Sequence, residues 1–258
     1  MRLALILAAA VVAVPAAAEA QAMPRPERSA VSMAMPEYQA DTALRAAIES
    51  TARPAADRAR DVFRHPEEAL TFWGLSPATT VVEIQPGNGG WWTAILRPYA
   101  QATGGRYVAA DDLAALEAVE PGSADMVLIA RAFHNWARQG RTDAVLAAAY
   151  RALKPGGVLA VEQHRSAEGL NVADTAPTGY VPESYVIQSA QRAGFTLDAR
   201  SELNANPKDD RDHAFGVWTL PPVRRDSQDG RTLTAAERAA YDAIGESDRM
   251  TLRLRKPA

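Results

Sequence analysis

The chain has 258 residues, 47% of them hydrophobic, and sets 28 Lys and Arg against 31 Asp and Glu for a formal net charge of -3. That balance, with no dense basic block, carries no electrostatic footprint for nucleic acid. A cysteine count of 0 excludes a disulfide framework, a thiolate metal site and a cysteine nucleophile, so stability must come from the core.

Met1-Arg2, an almost uncharged apolar run from Leu3 to Ala18, and the closing Ala18-Glu19-Ala20-Gln21-Ala22 together have the form of a secretory signal. The run is broken by Pro15 and is shorter than the roughly 20 apolar residues of a spanning helix. Residues 1–22 are therefore expected to be removed after Ala20 or Ala22, leaving an exported protein, periplasmic or secreted, without a stable membrane anchor. Residues 23–36, with Pro24, Pro26 and Pro36, read as an extended lead-in. Residues 37–258 then form one α/β domain with N-terminal helices and a C-terminal extension.

Asp41 is placed to cap a helix reaching about Ser50, with Leu44 and Ile48 on one face. Further helical stretches are expected at Ala55 to Phe63 and Glu67 to Trp73. From Thr79 the pattern changes to strands alternating with helices. Strands are expected at Thr79 to Ile84, Arg106 to Ala110, Met126 to Ala130, Val158 to Gln163, Phe195 to Ala199 and Phe215 to Leu220. Helices are expected at Trp91 to Tyr99, Thr142 to Leu153 and Pro182 to Ala193. Alternation of this kind implies right-handed crossovers and a mainly parallel, doubly wound sheet with helices on both faces, a Rossmann-like plan. Asn206 to Asp212 reads as a solvated connection. Leu252 and Leu254 alternate with polar residues as a late strand.

The densest signal is Val81-Val82-Glu83-Ile84-Gln85-Pro86-Gly87-Asn88-Gly89-Gly90, a buried strand turning into a helix. Glycines there let backbone approach a ligand closely while the next helix offers free N–H groups, although a plain strand-to-helix turn would use the same residues. The neighbours occur in a telling order: Glu83, Pro86-Gly87-x-Gly89, the acidic pair Asp111-Asp112, Ser123-Ala124-Asp125, and Leu153-Lys154-Pro155-Gly156-Gly157. In that order the sequence resembles the class I S-adenosylmethionine-dependent methyltransferases, from about Ala52 onward. Phe133-His134-Asn135-Trp136, Gln163-His164-Arg165, Gly179-Tyr180-Val181 and Gly245-Glu246-Ser247-Asp248-Arg249-Met250 look most like a branch of exported members of undescribed function.

The resemblance implies S-adenosylmethionine as cofactor. It assigns Glu83 to ordering the loop and meeting the methionyl amino group, Gln85, Pro86, Gly87 and Gly89 to packing on the cofactor, and Asp111 or Asp112 to the ribose hydroxyls. Asp111 lies 24 residues beyond Gly87, near the roughly 20-residue offset such a carboxylate needs. Either acidic residue also suits the N-cap of a helix from Leu113.

Two departures stand out. Gln85 occupies the position of the family's first glycine, so its side chain must either lie over the loop or close the methionine end of the pocket. In the first case, Gln85→Gly is expected to lower stability slightly through backbone entropy. Residues 111–124 are also too few for two crossovers and a strand, since one crossover takes a dozen or more residues. The family's third strand is thus expected to be missing and the adenine pocket shallow.

His134 and His164 follow the fourth and fifth family strands, at the carboxyl ends where ligands bind in open α/β sheets. Either is a candidate base for an oxygen or nitrogen acceptor, and either is equally a structural histidine. Trp136, Tyr180 and Tyr185 could wall an acceptor pocket or pack inside. Ala130-Arg131-Ala132-Phe133 departs from the Asn/Asp-Pro-Pro-aromatic segment of amino-group methylation. No residue spacing indicates a metal, and no Gly-x-Ser-x-Gly elbow is present. The leading reading is methyl transfer to a small molecule. A non-catalytic exported binding protein would explain Gln85, the shortening and export away from the cofactor's source. A dinucleotide oxidoreductase would want Gly-x-Gly-x-x-Gly at the turn.

Overall fold

The computed structural model describes residues 41–87 and 90–258; the signal, the lead-in and Gly89 of the glycine turn lie outside the described residues. Ala40–Ala258 is one compact unit. Helix α1 (Thr42–Glu49) opens it, with Asp41 Oδ1 accepting from Ala43 N and Leu44 N. The next expected helix is two short turns, α2 (Ala55–Arg58) and α3 (Asp61–Arg64), followed by α4 (Pro66–Trp73).

The α/β body runs β1 (Thr80–Ile84), α5 (Thr93–Thr103), β2 (Arg106–Ala110), α6 (Leu113–Glu117), β3 (Ala124–Ala130), α7 (Phe133–Ala137), α8 (Thr142–Ala152) and β4 (Leu153–His164). It continues through α9 (Val172–Thr175), a single 3-10 turn, α10 (Glu183–Arg192), β5 (Thr196–Ser201), β6 (Ala214–Val217), β7 (Ser227–Gln228), β8 (Arg231–Thr232), α11 (Ala235–Ile244) and β9 (Arg249–Arg255). The main sheet has the order β2-β1-β3-β4-β9-β5. Strands β1 to β4 pair in parallel, and β9 is inserted antiparallel between β4 and β5. Strand β2 is the edge, and residues 111–124 hold only α6 before β3 begins, so the missing third strand is borne out.

Period-two alternation sorts the strands between two cores. Val82, Ile84, Val127, Ile129, Leu159 and Val161 pack with α8 and α10 on one face. Val81, Met126, Leu128, Val158 and Ala160 pack with α1, α4 and α5 on the other. Trp73 and Trp92 meet edge-on there, 5.4 Å between centroids, and Trp73 Nε1 donates to Leu252 O. The same alternation turns Glu83 and Glu162 toward this second layer and Gln163 toward the first.

Two of the sequence stretches that carried the resemblance are a structural latch. Asp125 accepts from Thr80 N at 2.8 Å and from Lys154 Nζ at 2.6 Å, tying together the amino ends of β1, β3 and β4. At Gly157 a Cβ would stand 2.9 Å from Lys154 O, which is why glycine closes that turn.

Two expectations are corrected. The strand foreseen at Phe215 to Leu220 stops at Val217, and β6 lies outside the six-stranded sheet. The solvated connection is solvated only in part: Asp209 is 1% exposed and accepts from Tyr180 Oη, Arg211 N and Asp248 N, so a carboxylate organises that turn from inside. Among the described residues, no helix is long and apolar enough to cross a membrane.

Candidate functional site

Helix α5 crosses from β1 to β2 on one face and α8 from β3 to β4 on the other. The sheet therefore has its switch point between β1 and β3, the place where an open α/β sheet leaves a crevice. A cavity of about 710 Å³ lies there. It brings together Gln85, Pro86 and Gly87 after β1, Asp111 after β2, Arg131 and His134 after β3, and His164 at the end of β4. A second cleft of about 600 Å³, beside the edge strand, shares Pro86, Gly87 and Asp111 with it.

On the β1–β2 side the backbone dominates. Gln85 has φ 49 and Gly87 φ 73, both left-handed, and a Cβ on Gly87 would meet nothing within 4 Å. The turn thus places both a glutamine and a glycine in left-handed backbone, held by Gln85 N donating to Ala110 O at 2.8 Å. Its side chain lines the cavity. The expected direction of Gln85→Gly on stability is corrected by this geometry, because a left-handed non-glycine residue is strained and glycine relieves it.

The acidic pair divides its tasks. Asp112 is the N-cap of α6, its Oδ1 accepting from Ala115 N at 2.8 Å. Asp111 is exposed on the cavity rim and makes no hydrogen bond to another described residue. Glu83 sits beneath the loop, 2% exposed, with Oε2 accepting from Thr93 Oγ1 at 2.9 Å and Tyr107 Oη at 2.8 Å. Burial pushes its carboxyl above the usual range, against those two hydrogen bonds. Its visible part is to bind the start of α5 and strand β2 under the turn.

On the β3–β4 side charge dominates. Glu246 accepts from Arg60 Nε at 2.7 Å and Arg64 Nε at 3.0 Å, and pairs with Arg249 Nη1 at 2.7 Å. Arg249 Nε reaches Glu162 Oε1 at 2.7 Å, while Trp92 Nε1 donates to Glu162 Oε2 at 3.1 Å. Arg60 has a further anion in Asp57 at 3.7 Å. Arg131, at φ 58, is the exception: its side chain makes no hydrogen bond or ion pair with any described residue, and its Nε is buried.

His134 and His164 stand side by side, ring centroids 6.0 Å apart. Gln163 Nε2 lies 3.4 Å from His134 Nδ1, and His164 Nδ1 is 2.6 Å from Ser247 Oγ. Burial pulls the His134 imidazole down to about 4, and burial first, then the neighbouring His134 and Arg131, holds His164 well below the usual range. Both are neutral near pH 7, weak bases able to take a proton only transiently.

None of the three aromatics expected as walls lines the cavity. Trp136 packs on Phe133, Tyr180 donates to Asp209, and Tyr185 donates to Thr142. The aromatic that lines the cavity is Trp218, against His134 at 5.8 Å. Arg64, Arg131 and Trp218 escaped the sequence reading. The one available signal was Arg131 itself, a cation directly at a strand's carboxyl end. Among the described residues, Asp209, Asp210 and His213 could together hold a metal ion, but Asp209 already serves Tyr180, Arg211, His213 and Asp248.

Residues 90–161 match the family model described as a methyltransferase domain. No curated protein matches the chain. Similar solved structures include an S-adenosylmethionine-dependent methyltransferase from Aquifex aeolicus, at 16% identity and TM-score 0.44 over 56% of this chain and 86% of that one. A Methanosarcina mazei S-adenosylmethionine-dependent methyltransferase has 11% identity and TM-score 0.44, over 73% and 97% of the two chains. The Burkholderia thailandensis 1,6-didemethyltoxoflavin-N1-methyltransferase, solved with 1,6-didemethyltoxoflavin and S-adenosylhomocysteine, has 13% identity and TM-score 0.43, over 79% of each chain. The matched segment runs from just before α5 into β4 and includes Asp111, Arg131 and His134.

Proposed function

We propose that this protein is an exported enzyme that moves the methyl group of S-adenosylmethionine to a small-molecule acceptor. The observation that carries the reading is that Asp111, Arg131 and His134, on the rim of the switch-point cavity, all fall inside the matched segment 90–161. The residues fit the cofactor: an exposed carboxylate at Asp111, without a partner among the described residues, suits ribose hydroxyls, and the open left-handed backbone at Gly87 admits a close ligand. Bound there, the cofactor supplies an electrophilic methyl on a sulfonium.

What the chain must add is alignment of the acceptor with that methyl, since holding two reactants in line supplies much of the rate in such a displacement. His134 and His164 present neutral imidazoles beside the acceptor space, so either can take a proton released on transfer. Arg131 beside them favours negative charge on the acceptor. Export rests on residues 1–22, whose apolar run and small-residue junction have the form of a cleaved signal.

Calorimetric titration of the mature protein with S-adenosylhomocysteine and with NAD tests the reading. Saturable binding of the first and none of the second is expected; the reverse would overturn it. An intact mass lacking residues 1–20 or 1–22 is expected for protein recovered from producing cells, and retention of Met1 would refute export.

A further inference from the structure

On the β3–β4 side, Arg131 is left without an ion pair among the described residues. Asp57, Glu162 and Glu246 pair with Arg60, Arg64 and Arg249, Glu83 is hydrogen-bonded to Thr93 and Tyr107, and Glu83, Glu162 and Glu246 act on Arg131 only at a distance. Arg64 is 0% exposed, lies over the Trp91 ring at 4.7 Å, and keeps Nη1 and Nη2 buried with no hydrogen-bond partner among the described residues while lining the same cavity. The buried Nη1 and Nη2 of Arg64 and the buried Nε of Arg131 are donors without a hydrogen-bond partner among the described residues, and a ligand anion at this wall would satisfy them.

We infer that the β3–β4 side of the cavity is an anion seat, in which Arg131, completed by Arg64, binds the carboxylate of an acidic small-molecule acceptor. The guanidinium fork matches a planar carboxylate with two parallel N–H···O bonds. Trp218, edge-on to His134, offers a flat apolar wall beside it for the rest of the acceptor. The word acceptor rests on the methyl-transfer reading; the seat itself does not. The cofactor also carries a carboxylate, but the residues fitted to its ribose and loop contacts, Asp111 and Gly87, stand on the β2 and β1 side, whereas Arg131 stands with the two histidines beyond β3.

The test uses benzoate and its uncharged isostere benzamide, titrated into the mature protein with and without saturating S-adenosylhomocysteine. Benzoate should bind about tenfold or more tighter than benzamide, the scale of a charge-assisted pair. Arg131→Gln should abolish that preference, leave the affinity for S-adenosylhomocysteine within about threefold, and keep or raise the melting temperature, because no described residue hydrogen-bonds or ion-pairs with its guanidinium. Equal affinities in the native protein, or a benzoate preference that survives in Arg131→Gln, would overturn the seat. So would a tenfold loss of S-adenosylhomocysteine affinity in that variant, which would give the charge to the cofactor, or a lowered melting temperature, which would make Arg131 structural. If S-adenosylhomocysteine fails to bind the native protein, the methyl-transfer reading falls, while the benzoate preference measured without it still decides the seat.

Discussion

Asp111 and Arg131 stand two strands apart on one rim, and the chain beneath them is built in opposite ways. Under Asp111 the work is done by backbone: a left-handed turn at Gln85 and Gly87, a short strand at the sheet edge, and Glu83, hydrogen-bonded among the described residues to two hydroxyls. Under Arg131 it is done by side chains: arginines from α3 and β9 interlocked with Glu162 and Glu246, all but Arg60 less than 4% exposed. Damage on the first side should therefore cost binding, and damage on the second should cost folding.

The sharpest way to break this contrast is Glu162→Ala. It leaves Arg249 Nε and Trp92 Nε1 without their carboxylate in a fully buried place, and removing one member of a buried ion pair costs about 3–5 kcal/mol. Urea unfolding should show that loss; a loss below about 1 kcal/mol would mean that the network is no more than a set of surface-like pairs. On the other side, Asp111→Ala should barely change unfolding, since the carboxylate is exposed and has no partner among the described residues. Its cost should appear in calorimetry as roughly ten- to a hundredfold weaker S-adenosylhomocysteine binding, the value of a lost hydrogen bond to a charged group.

The same contrast explains what could be read from the sequence. The β1–β2 side depends on local features, a β-branched strand, a Pro-Gly turn and an acidic residue at a fixed offset, and these leave marks within a few residues of one another. Even the shortening at 111–124 was visible as a count. The other side is assembled from Arg64, Arg131, Glu162, Trp218 and Arg249, which are spread over 186 positions and carry no spacing rule. Arg64 and Trp218 meet the cavity only because the N-terminal helices pack on one face and the segment after β6 folds over its mouth. Tyr180 and Tyr185 misled for the complementary reason, since an aromatic near a predicted loop gives no sign of whether a buried Asp209 or Thr142 awaits its hydroxyl.

Acid should separate the two sides further. In the unfolded chain an imidazole titrates near pH 6.5, and burial keeps His134 neutral down to about 4. The folded value is the depressed one, so the unfolded chain binds the extra proton between those limits. The stability it contributes is complete above pH 6.5 and falls as pH drops toward 4. Between pH 7 and pH 4.5 the His134 share of that loss is about 2 kcal/mol. Denaturation curves of the native protein and of His134→Gln at the two pH values should differ by that amount, with the variant less sensitive to acid; parallel losses would remove His134 as a buried neutral group.

The smallest effect is expected at Gln85, where the two kinds of construction meet: backbone geometry of the glycine loop, and a side chain on the cavity wall. At φ 49 a glutamine carries the penalty of a left-handed residue, roughly 1–2 kcal/mol. Glycine removes that penalty but adds backbone freedom to the unfolded chain, worth up to about 1 kcal/mol. Relief should win narrowly, so Gln85→Gly should raise stability by about 0.5–1 kcal/mol, seen as a melting temperature higher by a few degrees at most. The side chain makes no hydrogen bond to another described residue that would hold it across the cavity, so it can swing aside for a ligand. Affinity for S-adenosylhomocysteine should accordingly stay within about threefold of native. Tightening of tenfold or more would show instead that glutamine blocks the methionine end, and that the β1–β2 side, like its neighbour, is governed by a side chain.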